Sequence, residues 1–252
     1  MTARYDSLRD RTVLVTGGAS GIGAAVVSAF ARNGARVAFL DIDAASGDAL
    51  VATLREAEHA PLFLPCDLTD IPALRDAVAE VGARLGPVAA LVNNAADDAR
   101  GEVDAITPDD WDRSFAVNLR HQAFAAQAVR PQMRALGGGA IVNLTSIAWM
   151  GGATGMLAYA TAKSGVIGLT RSLAREFGPD NIRVNAVAPG AVMTPRQMRL
   201  WHTPESAALL VQRQAIRAPV TEADIAATIL FLCAEESRMI TKQCLIVDGG
   251  LA

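Results

Sequence analysis

Two kinds of apolar pattern alternate along this chain. Short β-rich runs recur near residues 12–16, 36–41, 61–65, 88–93, 139–145, 182–187 and 244–247, and helical patterns fill the stretches between them. Runs of this length with little polar interruption predict strands buried on both faces, as in a parallel sheet. Strand–helix alternation implies right-handed crossovers, so helices must cover both sides of that sheet. The expected architecture is α/β, a doubly wound parallel sheet of about seven strands in a single domain spanning residues 1–252. Gly137-Gly138-Gly139 marks a turn between a helix ending near Leu136 and the next strand.

Composition narrows the function classes. With 51% apolar residues in 252, the chain can bury one large core without a second domain. A net charge of −3 provides no field for nucleic acid or an anionic membrane. The apolar runs are too short to span a bilayer, and Tyr5 through Arg11 is polar where a secretory leader would be apolar. No membrane and no nucleic-acid partner is therefore expected, and cytoplasm is the expected location. Cys66, Cys233 and Cys244 are odd in number and widely separated, which suggests neither disulfides nor a zinc ribbon. His59, His121 and His202 lack ligand-like spacing, so no metal is expected; His121 reads as a buried or interface histidine.

Two local patterns carry chemistry. Thr12–Thr16 runs directly into Gly17-Gly18-Ala19-Ser20-Gly21-Ile22-Gly23, and a helix-forming segment follows from Ala24 to Arg32. Glycines there allow a tight turn and a close backbone approach to a pyrophosphate, whose charge the helix N-terminus meets. The next strand ends at Asp41, 18 residues after Gly23. A carboxylate in that place suits the ribose hydroxyls of NAD and repels the 2′-phosphate of NADP.

The second pattern is Ser146, then Tyr159, then Lys163 one helical turn later. Residues at i and i+4 share a helix face, so the ammonium can approach the phenol. Bringing a phenol from about 10 to about 7 takes ~4 kcal/mol of differential stabilisation, which would let Tyr159 act as a general base near neutrality. Ser146 follows the apolar run 139–144 and would emerge at a strand's carboxyl end, where ligands of open α/β sheets bind.

The chain thus resembles the short-chain dehydrogenase/reductase family over nearly its whole length. TGGASGIG at 16–23, CDL at 66–68, NNAA at 93–96, Asn118, Ser146, YATAK at 159–163 and AVAPGAVMTP at 186–195 carry the resemblance. It implies a Rossmann fold, a homotetramer and a catalytic tetrad of Asn118, Ser146, Tyr159 and Lys163. Tyr159 would take the substrate proton, Ser146 hold the reacting oxygen, Lys163 lower the tyrosine pKa and bind ribose, and Asn118 position a water. The resemblance further implies NAD contacts at Gly17, Ser20, Gly21, Ile22, Gly23, Asp41 and Ile42. It places Asp67 and Leu68 at the adenine, Asn94 and Ala95 at the ribose, and Pro189, Val192 and Thr194 at the carboxamide.

Substrate chemistry is read from a lid segment, about 193–217, and from three patches. Asp97 to Arg100, Ile147 to Trp149, and Thr194 to Gln197 offer carboxylates, a guanidinium, an amide and an indole. A monosaccharide needs that mixture, with dense hydrogen bonding for its hydroxyls and an aromatic face for its C–H surface. Asp98, Trp149, Arg196 and Gln197 are the substrate candidates beside Ser146 and Tyr159. NLRHQAFAAQAV at 118–129, SIAW at 146–149 and TPRQ followed by a tryptophan and TPE at 194–205 are similar to the branch of the family that oxidises aldoses at the anomeric carbon. The alternatives are a 3-oxoacyl carrier-protein reductase, a polyol or hydroxysteroid dehydrogenase, or a non-catalytic dinucleotide-binding sensor.

Overall fold

The computed structural model describes residues 4–252. Seven strands form one sheet in the order β3-β2-β1-β4-β5-β6-β7: β1 Thr12–Thr16, β2 Arg36–Asp41, β3 Leu62–Pro65, β4 Val88–Asn93, β5 Gly139–Leu144, β6 Ile182–Pro189 and β7 Cys244–Val247. Every neighbouring pair is parallel. The expected strands are all present, with β6 running two residues further than its apolar pattern suggests.

Parallel pairing explains the strand composition. β1 and β4 lie in the middle of the sheet with every residue buried, so both faces must be apolar. Alternate residues serve opposite layers: Val13 and Val15 pack toward α1 (Gly21–Arg32) and α9 (Glu222–Cys233), while Leu14 packs toward α3 (Ile71–Leu85) and α5 (His121–Ala135). Strand order reverses between β1 and β4. That reversal leaves a crevice at the carboxyl ends of the two strands.

Five further helices complete the covering layers and the rim. They are α2 (Ala44–Thr53), α4 (Pro108–Phe115), α6 (Leu157–Phe177), and, within the expected lid, α7 (Pro195–Leu200) with α8 (Pro204–Arg213). Pro195 and Pro204 start the two lid helices, where a missing N–H costs nothing. Between α4 and α5 the chain makes one wide π-turn, Ala116–Arg120, which carries Asn118.

Phe39 anchors the first layer, fully buried on β2 with its ring 5.0 Å from that of Phe63. Phe39→Ala is expected to destabilise the domain by about 3–5 kcal/mol, read from denaturant unfolding midpoints at unchanged slope.

Candidate active site

The glycine turn is built by close approach. Gly17 has φ +65°, and a Cβ there would stand 2.6 Å from the Ala95 Cα; a Cβ on Gly23 would meet the Gly17 carbonyl at 1.9 Å. Only glycine lets α1 pack this tightly on the end of β1. Asp43, Asp70, Thr107, Thr194, Thr203 and Thr221 cap α2, α3, α4, α7, α8 and α9 with their side chains, but Ser20 makes no such bond to α1. The first amides of α1 therefore have no side-chain acceptor, and a pyrophosphate would fit them.

The remaining cofactor candidates line the same edge. Asp41 accepts from the Ala19 amide at 2.9 Å and the Asp43 amide at 3.1 Å, which orients its carboxylate and leaves lone pairs for hydroxyls. Ile42 beside it is 75% exposed, an uncovered apolar side chain at the rim. Asp67 is exposed and bonded to the Thr69 amide and hydroxyl, while Leu68 is buried. The Asn94 amide is committed to the turn itself, donating to Thr16 O at 3.1 Å and Gly17 O at 2.7 Å. Its own amide N–H and that of Ala95 donate to the Thr16 hydroxyl. Pro189 ends β6, Val192 is buried below, and the Thr194 methyl would sit 3.4 Å from a Cβ on Gly21. These residues fit an extended nicotinamide dinucleotide.

Tyr159 and Lys163 lie on α6. Lys163 is 1% exposed, and its Nζ donates to the Leu144 carbonyl at 2.8 Å, at the end of β5. The Thr145 hydroxyl donates to the Lys163 carbonyl at 2.6 Å, holding α6 against β5. Ser146 Oγ accepts from the Ala148 amide at 3.1 Å. It also lies close enough to Tyr159 to be the chief group drawing the phenol pKa down.

The expected depression of Tyr159 is not supplied by these protein groups alone. Burial pushes the phenol up to about 12 and outweighs the Ser146 hydrogen bond. Lys163 Nζ stands 5.8 Å from the tyrosine ring centre, and burial pushes its own pKa down to about 7. A cation that is itself partly discharged near neutrality is a weak field at that distance. Tyr159 itself is half-buried.

Asn118 is fully buried, and both ends of its amide are engaged. Nδ2 donates to Asp97 O at 2.9 Å and Ser114 O at 3.0 Å, and Oδ1 accepts from the Asp97 amide at 3.1 Å. The side chain staples the loop after β4 to α4. A water placed by Asn118 would belong to its main-chain carbonyl, which accepts from Gln122 Nε2 at 3.1 Å.

The substrate candidates gather beside Tyr159. Asp98, though remote in sequence from the lid, is bonded to both Arg196 and Gln197, the latter at 2.7 Å, and Arg196 reaches Asp97 at 3.0 Å. Burial pushes the Asp98 carboxyl up, but bonds from Gln197 and Arg196 with the guanidinium charge hold it below the usual range. Asp98, Arg196 and Arg100 all act electrostatically on the tyrosine. Arg100 also lies 4.6 Å over the ring of Trp201, and the buried indole nitrogens of Trp149 and Trp201 have no acceptor.

Sequence reasoning missed Thr16, Trp201 and Gln122 as site residues. Trp201, an isolated large aromatic just after α7, was the one with a visible signal. His121 is fully buried with its Nε2 3.5 Å from the Thr16 hydroxyl, and burial with the Lys163 charge pushes its pKa down to about 3. Among the described residues no cluster of three or more His, Cys, Asp or Glu is arranged to hold a metal.

A glycine turn with open helix amides and a Ser-Tyr-Lys arrangement across the crevice define a nicotinamide-dinucleotide oxidoreductase. A family model described as enoyl-(acyl carrier protein) reductase matches residues 17–252. The chain belongs to the short-chain dehydrogenase/reductase family and is an enzyme acting on CH–OH donors. It is 50% identical over 251 residues to "Probable galactose dehydrogenase GalD" of Rhizobium meliloti, covering 99% of this chain and 98% of that protein. It is 43% identical over 249 residues to D-xylose 1-dehydrogenase of Caulobacter vibrioides, with coverage of 99% and 98%. A short-chain type dehydrogenase/reductase from Mycobacterium ulcerans superposes with a TM-score of 0.92 at 27% identity, covering 97% of this chain and 90% of that one.

The Asp98 latch makes a pH prediction. A carboxyl depressed in the folded state stabilises fully above its unfolded pKa, about 3.9, and the contribution disappears as pH falls through the lower folded value. Asp98→Asn is therefore expected to flatten the loss of stability below about pH 4, measured as unfolding free energy against pH. An unchanged acid limb counts against the latch.

Proposed function

We propose that the enzyme oxidises the anomeric hydroxyl of an aldose with NAD and releases an aldonolactone. The observation that carries this reading is the convergence on Tyr159 of Asp98, which bonds Arg196 and Gln197, and of Arg100, which lies over Trp201 with its unpartnered indole N–H. A polyhydroxylated substrate answers such a wall of donors and acceptors, whereas an acyl chain leaves the indole N–H unpaired. The names of the galactose and D-xylose relatives support the same class.

Ser146 hydrogen-bonds the reacting oxygen and Tyr159 takes its proton, with Lys163 supplying positive charge on the same helix face. The cofactor, when bound, accepts the hydride at its nicotinamide. Gly17, Ser20, Gly21, Ile22 and Gly23 would hold its pyrophosphate, Asp41 its adenosine ribose, and Ile42, Asp67 and Leu68 its adenine. Ala95 and the Asn94 backbone, Lys163, Pro189, Val192 and Thr194 would hold the nicotinamide half. Trp149 and Trp201 would face the sugar. The family expectation of a cytoplasmic homotetramer goes with this reading, and light scattering of the purified protein tests the assembly.

The direct test is a panel of aldoses, polyols and acyl thioesters assayed with NAD and NADP by absorbance of the reduced cofactor. Pyranoses are expected to give lactones that hydrolyse slowly, and polyols of the same skeleton to be inert. Turnover of a polyol or a thioester with no aldose turned over sinks the sugar reading. For the cofactor, NAD is expected to be preferred, and Asp41→Ala to narrow or reverse that preference by removing a like charge from the 2′-phosphate. Equal efficiency of the unaltered enzyme with both cofactors overturns the role of Asp41.

A further inference from the structure

Beneath Lys163 lies a set of buried polar atoms that the tetrad does not use. Gln122, on the first turn of α5, is fully buried. Its Nε2 donates to the Asn118 carbonyl at 3.1 Å and to the Leu144 carbonyl at 3.4 Å. Both partners only accept, so the amide cannot turn over without setting oxygen against oxygen. The orientation of Gln122 is thereby fixed, and its Oε1 is left buried with no partner.

The Leu144 carbonyl is also the acceptor for Lys163 Nζ at 2.8 Å. One backbone oxygen thus joins a buried ammonium, with two more N–H groups to place, to an amide whose oxygen is bare. An unpaired buried amide oxygen costs about 1–3 kcal/mol, and polar sites of this kind are where internal water is held. If Gln122 served packing alone, leucine or methionine would fill the space without that cost. Two titratable groups adjoin Lys163: Tyr159 on its own helix, which also faces Asp98, Arg196 and Arg100, and His121 on α5, which burial keeps neutral.

We propose that Gln122 is a positioning residue for proton transfer: its Oε1 anchors a buried water that bridges to the Lys163 ammonium, while its Nε2 fixes the π-turn carbonyl of Asn118. The assignment rests on the reading of Tyr159 and Lys163 as catalytic. In this step Tyr159 keeps the proton it takes from the substrate, and the ammonium keeps its protons and its hydrogen bonds to the Leu144 carbonyl and to the water. Lys163 ends with the charge it began with. Gln122 exchanges no proton; it only donates and accepts hydrogen bonds.

The test uses the full-length enzyme with NAD and its best aldose. Gln122→Met keeps the length and removes both polar ends; it is expected to lower kcat about tenfold or more, leaving the Kd for NAD and the aldose KM within about twofold. Gln122→Glu keeps an acceptor oxygen but offers a donor toward the Asn118 and Leu144 carbonyls only when protonated, so it is expected to recover turnover as pH is lowered and not when ionised. A methionine variant with wild-type kcat, or one whose losses fall on NAD affinity and stability while kcat holds, overturns the proposal. Should Gln122→Met not fold, a high-resolution crystal structure of the unaltered holoenzyme decides: a water bonded to both Gln122 Oε1 and Lys163 Nζ is expected, and a dry gap there overturns the proposal. Tyr159→Phe serves as the control. If it turns over near-normally the catalytic reading falls as well, whereas an inactive Tyr159→Phe beside a normal Gln122→Met overturns only the role of Gln122.

Discussion

A buried ammonium without a carboxylate partner is the constraint around which this site is built. Lys163 is 1% exposed, and no salt bridge to it occurs among the described residues. Removing a charge from water costs several kcal/mol even after relaxation, so the cation persists only where neighbouring dipoles and hydrogen bonds replace the solvent. The end of β5 provides the first of these in the Leu144 carbonyl. Thr145 then ties the lysine's own backbone in place, and residues 146–149 turn away to present Ser146. Position and protonation of the catalytic groups follow from this arrangement.

The same economy of polar groups runs along the carboxyl edge of the sheet. Asn93 donates to Asn143, which donates to the Thr170 hydroxyl, joining β4, β5 and α6 in one buried chain. Thr16 joins β1 to the turn after β4 by accepting from two successive amides. Each link is modest alone, about 1 kcal/mol, but a broken one leaves its partner desolvated and unpaired. Arg196 is partly exposed on α7 and bonded to carboxylates on the facing loop, an ion pair weak enough for solvent and substrate to compete with.

Much of this was legible in the chain. Apolar runs separated by helical patterns implied the parallel sheet, since parallel strands buried on both faces leave no polar positions to confuse the period. The glycine turn, Asp41 and the Ser-Tyr-Lys spacing were equally visible, because each depends on local backbone geometry or on helical periodicity. The break after β6 was legible in the prolines of 193–217, and the two short helices there follow from prolines at their first turns.

What the sequence determined by itself, then, is the fold, the order of its elements and the spacing of the candidates Ser146, Tyr159 and Lys163, since these follow from periodicity and short-range spacing. Tertiary structure alone decided the electrostatics and the company each residue keeps. Lys163 and Tyr159 share a helix face as expected, but burial sets the phenol high and the ammonium low, and burial is a property of everything packed around α6. Asn118 was implied as a tetrad member by the family resemblance, but its bond to Asp97 depends on where β4 ends. Asp98 meets Arg196 across 98 residues, and Gln122 meets Lys163 through a carbonyl of β5. Long-range pairings of this kind leave no period in the chain, because the sheet, not the local sequence, brings them together.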